Sequence, residues 1–243
     1  MAATAVRAQT ILDLAEAAQD ETPIARALRV AAATGADAAR LRDAPLGRLH
    51  AAALGFHTTL VGRRLDAVAT CPVCAALVEF SLDADALAAI DVATAAGELT
   101  VTTDAGDWRA VWRAPTAGDL AAVAGREDAA SALLALCCEL TGPAGKGVAD
   151  APSEVVERVE AVLADADPLA ELTVAVECPE CGAVFDADVD PVAFVWREVQ
   201  AGAQRVLREV DVLARAYGWT EAEVLALSEE RRAAYLEIVR EGQ

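Results

Sequence analysis

Two Cys-x-x-Cys turns, Cys71-Pro72-Val73-Cys74 and Cys178-Pro179-Glu180-Cys181, constrain this chain more than any other feature. Together they offer four thiolates, the ligand set of a closed tetrahedral zinc site. Two intervening residues let a tight turn aim both sulfurs at one point. Proline after the first cysteine sets φ there, and Gly182 after the second pair permits a left-handed residue that closes the turn. Ala75 stands at that place after the first pair, which implies that its turn closes differently. Between the pairs lie 103 residues (178 − 74 − 1), against roughly 15–20 in the common short zinc motifs. A metal held by both pairs would clasp distant parts of the chain.

The flanks extend that expectation. Leu172 to Val176 runs apolar into the second pair and Ala183-Val184-Phe185 leads away from it; Leu65 to Thr70 and Leu77 to Leu82 bracket the first. This pattern predicts two hairpin-borne knuckles, one zinc ribbon split by a long insertion, with Cys71, Cys74, Cys178 and Cys181 holding one structural zinc per chain. Neither pair opens a helix after a strand in a βαβ context, so a thioredoxin-type redox role is disfavoured. His50 and His57 are offered by a neighbouring helix, but four thiolates already complete the shell. Cys137 and Cys138 are adjacent on a predicted helix and point about 100° apart. They read as small buried apolar side chains.

Composition narrows the function classes. A chain of 243 residues with 55% hydrophobic content has ample material for a core. Its net charge of −19 argues against nucleic-acid binding, which needs clustered Lys and Arg. Asp13, Glu16, Asp20 and Glu21 come early, with no basic segment followed by an apolar one, so no signal peptide is visible. No uncharged apolar run approaches the roughly 18–20 residues that span a bilayer. Six cysteines without an export signal imply a reducing compartment, hence a cytoplasmic protein.

Taken in order, residues 5–34 predict two helices, the second started by Thr22-Pro23 and ended by Gly35; residues 43–61 predict a third. After the first knuckle, residues 83–95 return to helix. Glu98–Thr103 and Trp108–Arg113 then alternate at period two around Asp104–Asp107, a β-hairpin signature. Pro115–Leu140 reads as helix, and residues 141–152 as a solvated linker whose Gly-x-x-Gly-Lys-Gly lacks phosphate-loop spacing. Ser153 caps a helix to about Asp165. Asp190-Pro191 opens the longest helix, to about Tyr217, roughly 40 Å long. Its apolar stripe, Val192, Val195, Trp196, Val199, Ala203, Val206, Val210, Leu213 and Tyr217, suits core packing. Gly218 stops it, Thr220–Glu223 is a capping box, and Ser228 caps a last helix through Val239. The expected fold is α+β, mainly helical with a small antiparallel sheet. A helical lead spans 1–62, a split zinc-ribbon region 63–190 with a helical insertion at about 115–166, and C-terminal helices 191–243, all in one unit.

Val195-Trp-Arg-Glu198, Leu207-Arg-Glu-Val210, the run Leu213 to Ser228, and Arg231-Arg-Ala-Ala-Tyr-Leu236 resemble the baseplate hub assembly chaperone family, named for T4-type contractile-tailed phages. The resemblance is to the branch found in gene clusters for phage-tail-like contractile injection systems. It takes in Asp165-Ala-Asp-Pro-Leu-Ala-Glu171 and both Cys-Pro-x-Cys turns, and so covers about residues 40–240. It implies a non-enzymatic assembly factor, or a minor component, that contacts hub or spike proteins and is either released or retained in the particle. Trp108, Trp112, Trp219 and Tyr235 are the candidate contact residues, because aromatics are enriched at interfaces, although each also suits a core. A zinc hydrolase needs an open coordination position that four thiolates do not leave. The alternative is a zinc-ribbon transcription regulator that binds protein rather than DNA.

Overall fold

Short capping signals set most element boundaries in the N-terminal part of this computed structural model, which describes residues 2–91, 96–145 and 147–242. Helix α1 (Ala2–Ala17) turns Ile11, Leu12 and Leu14 inward. Helix α2 (Pro23–Ala32) starts where the Thr22 hydroxyl accepts the Ala25 N–H at 3.3 Å, with Pro23 in the first turn. A short helix α3 (Ala38–Arg42), too brief to show a period in the sequence, is capped by Asp37. Helix α4 (Leu46–Leu60) begins three residues later than the sequence suggests. The reason is tertiary. Leu46 N–H donates to the Pro115 carbonyl at 2.9 Å, and Gly47 N–H donates to the carboxylate of distant Asp167 at 2.8 Å, so remote groups satisfy the orphan donors of its first turn. Glycine is required at 47, because a Cβ there would lie 2.0 Å from Asp167 Oδ1.

Strands β1 (Arg64–Thr70) and β2 (Leu77–Asp83) form an antiparallel hairpin, with Thr70 opposite Leu77 across the first Cys-x-x-Cys turn. Asp83 then accepts the Asp85 and Ala86 N–H groups and caps helix α5 (Ala84–Ala88). The helix expected over 83–95 is thus one short element, and its continuation at 92–95 lies outside the described residues.

The insertion builds a lobe of its own. Strands β3 (Ala96–Thr103) and β4 (Gly106–Arg113) pair around a two-residue turn, Asp104-Ala105, a tighter reversal than the pattern suggested. Helices α6 (Ala117–Val123) and α7 (Ala129–Cys137) follow. Helix was expected to run to Leu140; instead Cys138–Thr141 is a third strand, β5, with Cys138 opposite Trp112. Cys138 and Leu140 are buried while Glu139 between them is exposed, and that period-two alternation fits the inner face of β4. Trp108, Trp112, Leu134 and Leu140 pack with Val155 and Val159 of helix α8 (Ser153–Ala166). Arg113 braces the lobe with a bidentate pair to Asp119, at 2.6 and 2.8 Å, and a bond to the Leu136 carbonyl. Arg113, then the Thr116 hydroxyl and N–H, hold the Asp119 carboxyl down at about 2. The expected linker contains tight turns at Pro143–Gly145 and Val148–Asp150, and Lys146 lies outside the described residues.

Strands β6 (Leu172–Glu177) and β7 (Val184–Val189) form a second hairpin, and Asp190 caps helix α9 (Pro191–Tyr217) through the Val192 and Ala193 N–H groups. The stripe read from the sequence is largely the buried one: Val195, Trp196, Val199, Ala203 and Val206 pack on α1, Val30 and Phe56. Gly218 ends α9 in a left-handed conformation, the Thr220–Glu223 capping box opens α10 (Glu221–Leu225), and Ser228 caps α11 (Glu229–Glu241). Buried Arg232 of α11 is tied to Glu209 of α9 at 3.0 Å and to the Leu227 carbonyl at 2.9 Å. The sequence of helix, hairpin and capped helix occurs twice at a constant offset of 107 (178 − 71). Helices α4 and α8 start at 46 and 153, and the capping aspartates are 83 and 190. The fold is α+β and mainly helical, with three separate small antiparallel sheets among the described residues.

Two stability outcomes follow from the buried polar groups. Asp167→Ala removes the acceptor at the start of α4 and is expected to lower unfolding free energy by about 1–2 kcal/mol in urea titrations, with Asp167→Asn milder. His57 is buried edge-on to Phe194 with Nδ1 unpartnered among the described residues. Burial lowers its pKa from the ordinary 6.5, against smaller opposing effects of the Gly62 backbone and Glu198. The unfolded chain therefore takes up a proton below about pH 6.5 that the folded chain refuses. Stability should fall below that pH by up to ~1.4 kcal/mol per unit until the folded pKa is reached. Thermal melts at pH 7.5 and 5.5 should show a larger loss for the wild type than for His57→Leu.

Candidate metal centre

Each hairpin ends in the same six-residue loop. In the first, Ala75 N–H donates to the Cys71 carbonyl at 2.9 Å and Cys71 N–H to the Ala76 carbonyl at 2.8 Å. In the second, Gly182 N–H donates to the Cys178 carbonyl at 2.9 Å and Cys178 N–H to the Ala183 carbonyl at 2.9 Å. The two knuckles are therefore equivalent bond for bond. The expectation that Ala75 closes its turn differently is overturned: its φ is 60°, beside 69° for Gly182. Among the described residues Ala75 is the one non-glycine with positive φ. An L-residue there costs roughly 1–2 kcal/mol, and such strain persists where the surroundings over-determine the backbone.

The loops bring the sulfurs of Cys71, Cys74, Cys178 and Cys181 within 4.8 Å of one another, and all four cysteines are free of disulfides. The Cys71–Cys181 separation is 3.7 Å and the Cys74–Cys178 separation 3.6 Å, both between knuckles. Metal–sulfur bonds of 2.3 Å in a regular tetrahedron place sulfurs about 3.8 Å apart. These contacts have the length of tetrahedron edges, so the four sulfurs fit a tetrahedral metal ion. Cys71 and Cys178 are buried with Val78, Val176 and Ala187, whereas Cys74 and Cys181 face solvent.

Backbone donors already favour thiolate. The Cys74 N–H, and next among the donors the Val73 N–H, draw the Cys71 thiol down to about 7. The Ala76 N–H acts likewise on Cys74, yet the sulfurs of Cys181, Cys178 and Cys71, aided by desolvation, outweigh it and push Cys74 up to about 12. Four thiolates in this space repel one another, and a cation of matching softness relieves that repulsion.

The remaining sequence candidates lie elsewhere. His50 Nδ1 is 2.7 Å from the Leu169 carbonyl, and His57 is in the helical core; neither joins the sulfur cluster. Cys137 and Cys138 are in the lobe's core, and burial pushes Cys137 up to about 11. Trp108 and Trp112 are buried against α8, so they are core residues rather than contact residues. Trp219 and Tyr235 do reach the surface, in one cluster with Tyr217: ring centroids are 4.7 Å apart for Tyr217–Trp219, 4.9 Å for Trp219–Tyr235 and 5.5 Å for Tyr217–Tyr235. Sequence reasoning assigned Tyr217 to the core stripe. Gly218 ends the helix directly after Tyr217, and the Tyr217 ring packs on Trp219 and Tyr235 beyond the turn instead of on the core.

Knuckle equivalence predicts opposite responses to the same pair of residue types. Gly182→Ala should cost about 1 kcal/mol and Ala75→Gly should stabilise by up to a similar amount, read from denaturant unfolding of metal-loaded protein.

Comparison with family models, with curated proteins and with solved structures returned no match to this chain.

Proposed function

We propose that this chain is a non-enzymatic assembly factor, or a minor structural component, for the baseplate hub of a contractile phage tail or phage-tail-like injection system, clasped by one structural zinc. The observation that carries it is the C-terminal segment. Residues 195–236, whose sequence resembles the hub assembly chaperones, build α9 to α11 and leave Tyr217, Trp219 and Tyr235 clustered at the surface. Aromatic clusters with polar tips are the usual anchors of protein contacts. The cysteine site supports a structural role: four protein sulfurs leave no coordination position for water or substrate. A four-thiolate tetrahedron suits both zinc and iron; zinc, being redox-silent, matches a centre whose work is to hold two knuckles together. The charge of −19 fits a protein partner better than a nucleic acid.

Co-expression with the genes that neighbour its own, affinity capture and mass spectrometry test this directly. Hub or spike proteins should be recovered with about one zinc per chain and no iron–thiolate colour. Trp219→Ala and Tyr235→Ala should weaken capture about tenfold or more while leaving zinc content unchanged. Recovery of polymerase in place of tail proteins would overturn the assignment, as would turnover of a small molecule.

A further inference from the structure

Among the described large hydrophobic residues, the four most exposed all belong to the two knuckle hairpins: Val73 and Leu77 at 72%, Val184 at 69% and Val68 at 58%. Val68 and Leu77 share the outer face of β1–β2, where Val68 stands opposite Glu79 and Leu77 opposite Thr70. Val184 occupies in the second loop the place that Leu77 holds in the first, three residues after the last cysteine. The inner faces of the two hairpins pack on each other, so Val184, on the outer face of the second, points away from Val68 and Leu77 on the outer face of the first. Isolated exposed apolar residues need no explanation, but Val68, Val73 and Leu77 are concentrated on one hairpin, and such a concentration marks a contact surface.

The charge around this end is one-sided. No Lys or Arg occurs between Arg64 and Arg109 or between Arg158 and Arg197, so beyond Arg64 both hairpins carry acidic groups alone. Glu79, Glu177 and Glu180 are exposed and have no ion pair among the described residues. A divalent ion on four thiolates adds two further negative charges. A second copy of this chain would bring like charge against like charge, and an anionic lipid surface or a phosphate backbone would be repelled in the same way.

We infer that the outer face and loop of the first knuckle hairpin are a docking surface for a basic protein segment, one that lays apolar side chains on Val68, Val73 and Leu77 and sets Lys or Arg against Glu79 and the other carboxylates of this end. This deepens the assembly-factor proposal by naming the chemistry of a partner. It is distinct from the aromatic cluster on α9 and α11, and the metal shapes it by fixing the two loops relative to each other.

Short synthetic peptides test it without any tail protein, so failure here and failure of the capture experiment are separate results. Zinc-loaded, 15N-labelled protein is titrated with a Leu/Lys peptide, a Ser/Lys peptide and a Leu/Glu peptide. The Leu/Lys peptide should shift amides within residues 66–80, bind about tenfold more tightly than Ser/Lys, and weaken as salt is raised. Leu/Glu should not bind. Leu77→Ser combined with Val73→Ser should lose about tenfold in Leu/Lys affinity with unchanged zinc content, which shows that the fold is retained. Equal binding of Ser/Lys and Leu/Lys would overturn the inference, as would unaltered affinity of the double variant or shifts confined to Tyr217, Trp219 and Tyr235. Concentration-dependent shifts of the knuckle amides without peptide would assign the surface to self-association instead.

Discussion

Four sulfurs meet where two hairpins from opposite halves of the chain come face to face, and no backbone hydrogen bond pairs one hairpin's sheet with the other's. What joins them is the sulfur cluster, an apolar layer around Val78, Val176 and Ala187 flanked by Phe80 and Phe185, and at the other end of the hairpins a second apolar cluster in which Leu65 and Leu82 pack with Leu172, Leu169 and Phe194. With no ion bound, the neighbouring sulfurs hold the Cys74 thiol in its protonated form, and an ion that takes four thiolates relieves the repulsion between them. An ion at this place therefore contributes folding free energy rather than decorating a finished fold. Because the clasp closes a loop of 103 residues, it also removes a large set of open conformations from the unfolded chain.

The lobe between the knuckles is held a second time at the start of α4. Pro115, just after the lobe's hairpin, accepts from Leu46, and Asp167, just after α8, accepts from Gly47. Leu169 adds a contact from its carbonyl to His50. The first turn of one helix thus collects both ends of the lobe's helical part. Its orphan N–H groups are the natural place for that, since they need acceptors wherever the chain supplies them.

Surface chemistry also differs between the two ends. The knuckle end is apolar and acidic with no basic group past Arg64. The far end of α9 carries stacked aromatic rings together with arginines such as Arg208, Arg215 and Arg231. Two chemically unlike surfaces suit two unlike partners, or one partner at two places.

Local chemistry explains what was legible in the sequence. Each Cys-x-x-Cys turn, the Asp190-Pro191 start and Gly218 stop of α9, its apolar stripe, and the Thr220 and Ser228 caps all act over a few residues, so spacing alone determines them; that the two turns meet, 103 residues apart, is decided by the tertiary structure. What escaped it depends on partners far along the chain. Cys138–Thr141 leaves the helix because β4 offers a strand edge; Trp108 and Trp112 are buried because α8 covers their face; α4 starts at Leu46 because Pro115 and Asp167 supply its acceptors. Ala75 shows the limit most plainly. By itself an alanine avoids the left-handed region, and only the requirement that both knuckles aim their sulfurs at one point holds it there.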